Sequence, residues 1–372
     1  MKLKVMVVDD SALYRQLVMN VLRHLPEVEV VGLASTGKEA LAKIPELQPH
    51  LLTLDVQMPD MNGLELLREI KKQRMPVKAI MLSSLTAHGA QVTTDALLAG
   101  AFDFIQKPNS PDANVNRALL ETLLTEKINA FHESRNTTMP VRKPVSVSAR
   151  GPEENEDRSG RRAKVFDLTD STATPGQRTG RIGAVIIGTS TGGPVALREV
   201  IPKLPPTLGV PVFVVQHMPP NYTKSLAERI GESSQVQVHE AESGMPVEAN
   251  HVYIAPGGLH MGVEMQRGKL VIQTSDNPPE HNCRPAVDYT LRSAAKIYSG
   301  DLLVVILTGM GRDGTEGCRL IKQLGGSVLA QHPEGCVVYG MPKVVVEENL
   351  ADRVVPIEKM ASWIVRMIEK SR

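Results

Sequence analysis

Twice along this chain, short apolar runs alternate with amphipathic helical stretches, and that repeated alternation constrains the fold more than any other feature. In the first block "LKVMVV", "VEVVGLA", "HLLTLDV", "VKAIMLSS" and "FDFIQK" read as short buried strands, with helical stretches such as "SALYRQLVMNVLRHL" and "NGLELLREIKKQR" between them. Strands of that kind separated by helices form a parallel, doubly wound sheet with helices on both faces. From Ile182 a second block begins: "IGAVIIG", "VPVFVVQH", "HVYIAP", "KLVIQTS", "DLLVVILTG" and "GSVLAQ" read as strands, and "YTKSLAERIG", "AVDYTLRSAAKIY" and "GTEGCRLIKQLG" as helices. The hairpin punctuation of "HVYIAPGGLHMGVEMQRGKLVIQ" predicts a partly mixed sheet in this half. Between the blocks the apolar period stops. "RNTTMPVRKPVSVSARGPEENEDRSGRRAK" is rich in Pro, Ser, Asn and mixed charge, and buries too little to offset its ordering entropy. The expected class is therefore α/β: a domain over residues 1–131, a flexible linker over 132–181 with a short ordered patch near "KVFDL", and a Rossmann-like α/β domain over 182–372.

Bulk properties exclude several classes. A chain of 372 residues is too long for one ordinary core and suits two domains. Net charge is +1, which supplies no global attraction to nucleic acid. No stretch is long and apolar enough to span a bilayer. "MKLKVMVVDD" reaches two aspartates after a few apolar residues and is no signal peptide. A soluble cytoplasmic protein is expected. Cys283, Cys318 and Cys336 are too few and oddly numbered for a disulfide framework. A cysteine-nucleophile site is one reading of them. Cys318 falls in a helical pattern and Cys336 in an apolar stretch, which favours buried structural thiols. Thiol reagents are accordingly expected to leave activity mostly intact.

In the first half, Asp9 and Asp10 end the first strand and Asp55 ends the third. Ligands of doubly wound sheets gather at the carboxyl ends of strands. Three carboxylates there form an oxygen-rich pocket suited to Mg²⁺, a hard ion that needs few protein ligands. Ser83 ends the fourth strand and Lys107 the fifth. Asp10 or Ser11 could simply cap the following helix, but capping does not account for the whole set. With "VDDS", "LDVQMPDMNGLELL", "MLSSLT" and "QKP", residues 1–125 resemble the response-regulator receiver domain. The resemblance implies Asp55 as phosphoacceptor, Asp9 and Asp10 as Mg²⁺ holders with it, Ser83 and Lys107 as phosphate contacts, and Phe104 as the aromatic switch.

In the second half, "GTSTG" at 188–192 fits Gly-x-Ser-x-Gly on a strand-to-helix turn, a geometry that exposes Ser190 as a nucleophile. A phosphate-cradling loop fits that stretch about equally well, although the glycine spacing matches neither common phosphate motif. Two further strand ends favour the nucleophile. His217 lies just past "VPVFVVQ", and Asp313 lies in the Gly-rich loop after "LLVVILTG". The three would crowd one sheet edge, His217 taking the Ser190 proton and Asp313 orienting the imidazole. His239, His251, His260, His281 and His332 compete for the histidine role. The Ser…His…Asp order differs from that of α/β-hydrolases, so a different fold is expected to carry the triad.

"IGTSTGGP", "VVQHMP", "YIAPGGLHM", "RPAVDYTLRSAA", "ILTGMGRDG" and "GMP" at 340–342 resemble the chemotaxis protein-glutamate methylesterase family over roughly 182–370. That resemblance implies Ser190, His217 and Asp313 as the catalytic triad, with oxyanion donors around Thr191 and Met310. It implies hydrolysis of glutamate methyl esters on chemoreceptors, deamidation of receptor glutamines, and control by a histidine kinase acting on the receiver. Mg²⁺ would serve phosphorylation, and the ester chemistry would need no cofactor. A second domain that only bound DNA would need a basic helix-turn-helix, which 182–372 lacks.

Overall fold

The computed structural model describes residues 2–84, 86–136 and 180–372. The expected linker falls mostly on 137–179, including the patch near "KVFDL", and lies outside the described residues.

The N-terminal half runs β1 (Leu3–Val8), α1 (Ala12–Arg23), β2 (Val28–Ala34), α2 (Gly37–Leu47), β3 (Leu51–Asp55), α3 (Gly63–Lys72), β4 (Lys78–Ser83), α4 (Ala87–Ala99), β5 (Asp103–Gln106) and α5 (Ala113–Asn136). The strands form one parallel sheet ordered β2-β1-β3-β4-β5. Its chain order reverses between β1 and β3, which makes their carboxyl ends the natural ligand crevice. β3 is buried along its whole length, as a central strand covered on both faces must be. Ser11 caps α1, its side chain accepting from the Tyr14 N–H. Helix α5 continues to Asn136, past residue 131 where the domain was expected to end. Ile128 and Phe131 anchor it in the core.

The C-terminal half runs β6 (Ala184–Thr189), α6 (Gly193–Val200), β7 (Val212–Gln216), α7 (Tyr222–Gly231), β8 (Gln237–Glu240), β9 (His251–Ile254), β10 (His260–Gln266), β11 (Lys269–Ser275), α8 (Val287–Tyr298), β12 (Leu302–Ile306), α9 (Thr315–Gln323), β13 (Ser327–Gln331), α10 (Met341–Glu347), β14 (Arg353–Val355) and α11 (Ile357–Ser371). Its main sheet is ordered β14-β13-β12-β6-β7-β9-β8, with every pairing parallel. The hairpin expected within a partly mixed sheet is present as β10 and β11. It stands apart from the main sheet as an antiparallel ribbon against α8, its β11 also bonding residues 244–247 through an isolated antiparallel bridge at Pro246–Val271. β12, β6 and β7 are adjacent central strands, buried throughout. Chain order reverses at β6, so the crevice lies beyond the carboxyl ends of these three.

The two halves pack together, α4 of the first lying against α6 and α7 of the second.

Candidate active site

Ser190 follows β6 and His217 follows β7. These strands pair in register, Thr189 beside Gln216, and the His217 N–H donates to the Thr189 carbonyl at 3.2 Å. Ser190 therefore sits one strand from His217 at the sheet edge. The Ser190 turn is held from two sides: its N–H donates to the Thr308 carbonyl at 3.0 Å, and the Gln216 side-chain amide donates to its carbonyl at 3.0 Å. Gly192 closes the turn with φ +81, a conformation suited to glycine, and an added Cβ would lie 2.5 Å from Val337 Cβ. Across the crevice Gly309 packs against the serine, where an added Cβ would lie 2.8 Å from Ser190 Cβ and 2.5 Å from Met341 Sδ.

His217 and Asp313 meet. His217 Nε2 lies 2.7 Å from Asp313 Oδ2, with the histidine side chain 11% and the aspartate 2% exposed. Asp313 also accepts from the N–H groups of Val287 at 2.6 Å and Asp288 at 3.0 Å, at the start of α8. Burial alone would raise the Asp313 carboxyl, but the His217 ring and those N–H groups outweigh it and hold it below the usual range. Burial opposes charge on His217, yet Asp313 and Cys283 outweigh it and shift the imidazole upward, making it a stronger base.

Cys283 is the unexpected member. Its Sγ lies 3.5 Å from His217 Nδ1, so both ring nitrogens have partners and neither is Ser190. Ser190 Oγ has no hydrogen bond among the described residues, and the expected Ser190–His217 contact is not made. Nucleophile–base hydrogen bonds are often long or absent before substrate binds. Of the two cysteines expected to be buried structural thiols, Cys318 is buried and Cys336 only half-buried, and Cys283 is half-buried as well.

The competing histidines are engaged elsewhere. His239 and His251 stack on each other, His260 contacts the Pro278 carbonyl, His281 pairs with Asp288 at 3.0 Å, and His332 accepts from the Glu334 N–H. His281, Asp288 and Asp313 do gather their ligand atoms within 4.8 Å. Their oxygens already serve the N–H groups of Gly317, Val287 and Asp288 and the two histidines. The amides of Thr191 and Met310 donate to no group among the described residues, leaving both available to a developing oxyanion.

At the other sheet, Asp9, Asp10 and Asp55 bring carboxylate oxygens within 4.8 Å of one another. Lys107 Nζ bridges two of them, 2.7 Å from Asp9 and 2.9 Å from Asp55. Burial raises the Asp55 carboxyl to about 6, Lys107 working against it and Asp9 and Asp10 adding to it. That surplus of close negative charge, all on hard oxygens, fits a divalent cation such as Mg²⁺. Ser83 is buried on the same rim, accepting from Thr93 Oγ1 at 2.7 Å.

The two sites are joined by contacts that no strand pattern revealed. Thr191, next to Ser190, donates through its hydroxyl to Asp103 of β5, which also pairs with Lys127 at 2.8 Å. Phe104 packs against Tyr222 of α7, ring centroids 4.5 Å apart, and Tyr222 is buried. Arg229 grips Asp95 of α4 with two nitrogens, at 2.8 and 3.0 Å. Met310, Val337 and Val338 join the apolar cluster of the N-terminal half that also holds Phe102 and Phe131.

Residues 185–364 match the CheB methylesterase family, and residues 5–119 match the response regulator receiver domain. The chain is similar to the protein-glutamate methylesterase/protein-glutamine glutaminase of Desulfotalea psychrophila, 40% identical over 369 residues and 99% of each chain. The protein of the same name from Thermotoga maritima is 42% identical over 366 residues and 98% of each chain. Among solved structures, the CheB methylesterase catalytic domain of Thermotoga maritima is 48% identical, aligns with 51% of this chain and 99% of its own, and has a TM-score of 0.49.

Proposed function

The chain belongs to the CheB methylesterase family and carries a receiver domain, and on that premise we propose a phosphorylation-regulated serine hydrolase of chemotaxis that removes methyl groups from glutamate methyl esters on chemoreceptors and deamidates receptor glutamines. The observation that carries the reading is the His217–Asp313 pair standing one strand from an unpartnered Ser190 hydroxyl. Ser190 Oγ attacks the ester carbonyl while His217 takes its proton on Nδ1, the nitrogen that Asp313 does not hold. Asp313 keeps the ring oriented and stabilises its charge. The Thr191 and Met310 N–H groups receive the oxyanion, each worth about 2.7–4 kcal/mol of barrier. His217 then protonates the departing methanol, and water admitted by the same base releases glutamate. A glutamine amide follows the same path with ammonia leaving. The scheme uses only side chains and backbone N–H groups of this chain.

The receiver site supplies control. Asp9, Asp10 and Asp55 would hold Mg²⁺, which when bound neutralises charge on a transferring phosphoryl group. Asp55 is the phosphoacceptor, Lys107 and Ser83 contact the acquired phosphoryl oxygens, and Phe104 relays the change to the surface facing Tyr222. The phosphodonor is a chemotaxis histidine kinase and the substrates are methyl-accepting chemoreceptors, met from the cytoplasm. Nucleic acid and membrane insertion play no part in this reading; no helix among the described residues is long and apolar enough to cross a membrane. The organisation remains a receiver over 1–131, a linker over 132–181 and an esterase over 182–372.

Methanol release from methylated receptor tests the proposal. Asp313→Asn is expected to slow it roughly 10⁴-fold, less than loss of the nucleophile, because the aspartate acts only through the histidine. Kinetics like the wild type's would remove Asp313 from the scheme. Gly309→Ala is expected to lower kcat about a hundredfold, since the new methyl displaces Ser190 and a misplacement near 1 Å costs that much. Unchanged kcat in a folded Gly309→Ala protein would show that the serine's position is not fixed from that side.

A further inference from the structure

Cys283 is presented to the catalytic histidine by a built turn. Glu280 and Cys283 exchange both backbone hydrogen bonds, at 3.0 and 2.7 Å, and His281 and Asn282 between them have φ of 50 and 60. Both central residues with positive φ define a tight type I′ turn. Arg284 fastens its far side by donating to the carbonyls of Asp276 and Asn277, and the Gly258 N–H donates to the Arg284 carbonyl. The turn sets Sγ 3.5 Å from His217 Nδ1, with Asp313 on the opposite ring nitrogen. A sulfur, an imidazole and a carboxylate in line are the parts of an activated thiol, in which the base takes the thiol proton and the acid orients the base.

The other cysteines lack this arrangement. Cys318 is fully buried in α9, and the Cys336 thiol donates to the His332 carbonyl, at 3.4 Å, with no imidazole nitrogen bonded to it among the described residues. Burial pushes the Cys318 thiol up and the Cys336 thiol up to about 12. Half-buried Cys283 alone combines access with a base.

We propose that Cys283 is an oxidant-sensitive modification site, and that its oxidation by a hydroperoxide silences the esterase by occupying His217 Nδ1. The inference rests, for its effect on activity, on reading His217 as the esterase base. Sγ gives its proton to Nδ1 and attacks one oxygen of hydrogen peroxide. The O–O bond breaks, and the departing oxygen recovers the proton from Nδ1 and leaves as water. Sulfur has lost two electrons and gained an oxygen as sulfenic acid, and the peroxide has been reduced. The new oxygen lies against the nitrogen that must receive the Ser190 proton. A small thiol restores the site through a mixed disulfide, since sulfenic acid is the reversible stage of cysteine oxidation. On this proposal thiol reagents would inhibit the enzyme, the opposite of what the sequence alone leads one to expect.

The experiment follows each cysteine by peptide mass spectrometry in the full-length protein, with iodoacetamide or with dimedone added to samples withdrawn from hydrogen peroxide, while methanol release is followed in peroxide-treated protein free of dimedone. Cys283 is expected to react first, and His217→Ala to slow its labelling about a hundredfold, the lower end of what a positioned base contributes. Activity should fall in step with sulfenic acid at Cys283 and return with dithiothreitol, and Cys283→Ser should not show this loss of activity. Labelling of Cys283 no faster than Cys336, or equally fast in folded His217→Ala, would overturn the activated thiol. Full esterase activity with Cys283 oxidised would overturn the silencing. Cys318 reports folding: if it labels in His217→Ala, that variant is unfolded, and the wild-type comparison of Cys283 with Cys336 decides. The labelling rates read thiol chemistry alone, so they stand even if Ser190→Ala shows the esterase reading to be wrong.

Discussion

Ser190→Ala is expected to release methanol from methylated receptor about a millionfold more slowly than the wild type, with the fold intact. The magnitude is that of losing a nucleophile from a group of residues acting as one unit. The substitution removes one oxygen that makes no hydrogen bond among the described residues, so stability should hardly change. His217→Ala should fall to a similar rate. The double variant should be no slower than the slower single one, because once the nucleophile or its base is gone the other has nothing to act on. What remains comes from binding and the Thr191 and Met310 amides, roughly 10³–10⁴ over water. A double variant slower than both by a further thousandfold would separate the two residues into independent contributions and end the shared mechanism. Ser190→Ala at wild-type rate would end the serine mechanism altogether.

The residues at strand ends were legible because the strands were. β6, β7 and β12 are apolar throughout, being covered on both faces, so each announces where it stops. Ser190, His217 and the Asp313 loop follow those stops, and parallel pairing brings them to one edge. Asp9, Asp55, Ser83 and Lys107 were legible for the same reason. β8 and β14 escaped notice as short edge strands with mostly half-exposed residues. Cys283 ends no strand. It reaches His217 through a turn whose positive φ values fall on His281 and Asn282, and although Asn suits a turn, nothing in the local sequence tells which distant side chain the turn faces. Asp103, Asp95, Tyr222 and Arg229 were illegible for another reason. Periodicity tells which face of an element is buried, not which domain buries it, and a contact such as Thr191–Asp103 spans 88 positions.

The second large effect concerns those contacts. With the receiver seated as it is, Asp103 holds the residue after Ser190, and Met310 lies in a shared apolar cluster with Phe102 and Phe131. On the proposed function, a receptor helix would have to displace that packing to present its glutamate side chain. Phosphorylation of Asp55 adds charge and acceptor oxygens beside Lys107 and Ser83, breaking the present Asp9–Lys107–Asp55 bridge into a new arrangement. Phe104, packed against Tyr222, stands between that pocket and α7. A local charge change that biases such a two-state contact has a coupling of about 1–3 kcal/mol, or 5–150-fold. Mg²⁺ with a small phosphodonor is therefore expected to raise methanol release by a factor in that range, and Asp55→Asn to abolish the rise. Arg229→Ala should raise resting activity up to about fivefold without any phosphodonor, because a partly exposed ion pair is worth at most about 1 kcal/mol. Asp95→Ala should do the same, and the pair together no more than either. A fragment beginning at Gly180 should outrun the resting full chain. A fragment no faster than that chain, with Arg229→Ala also unchanged, would show that the seated receiver does not obstruct the site; any stimulation by phosphodonor would then have to come from direct contact between the phosphorylated receiver and the catalytic residues.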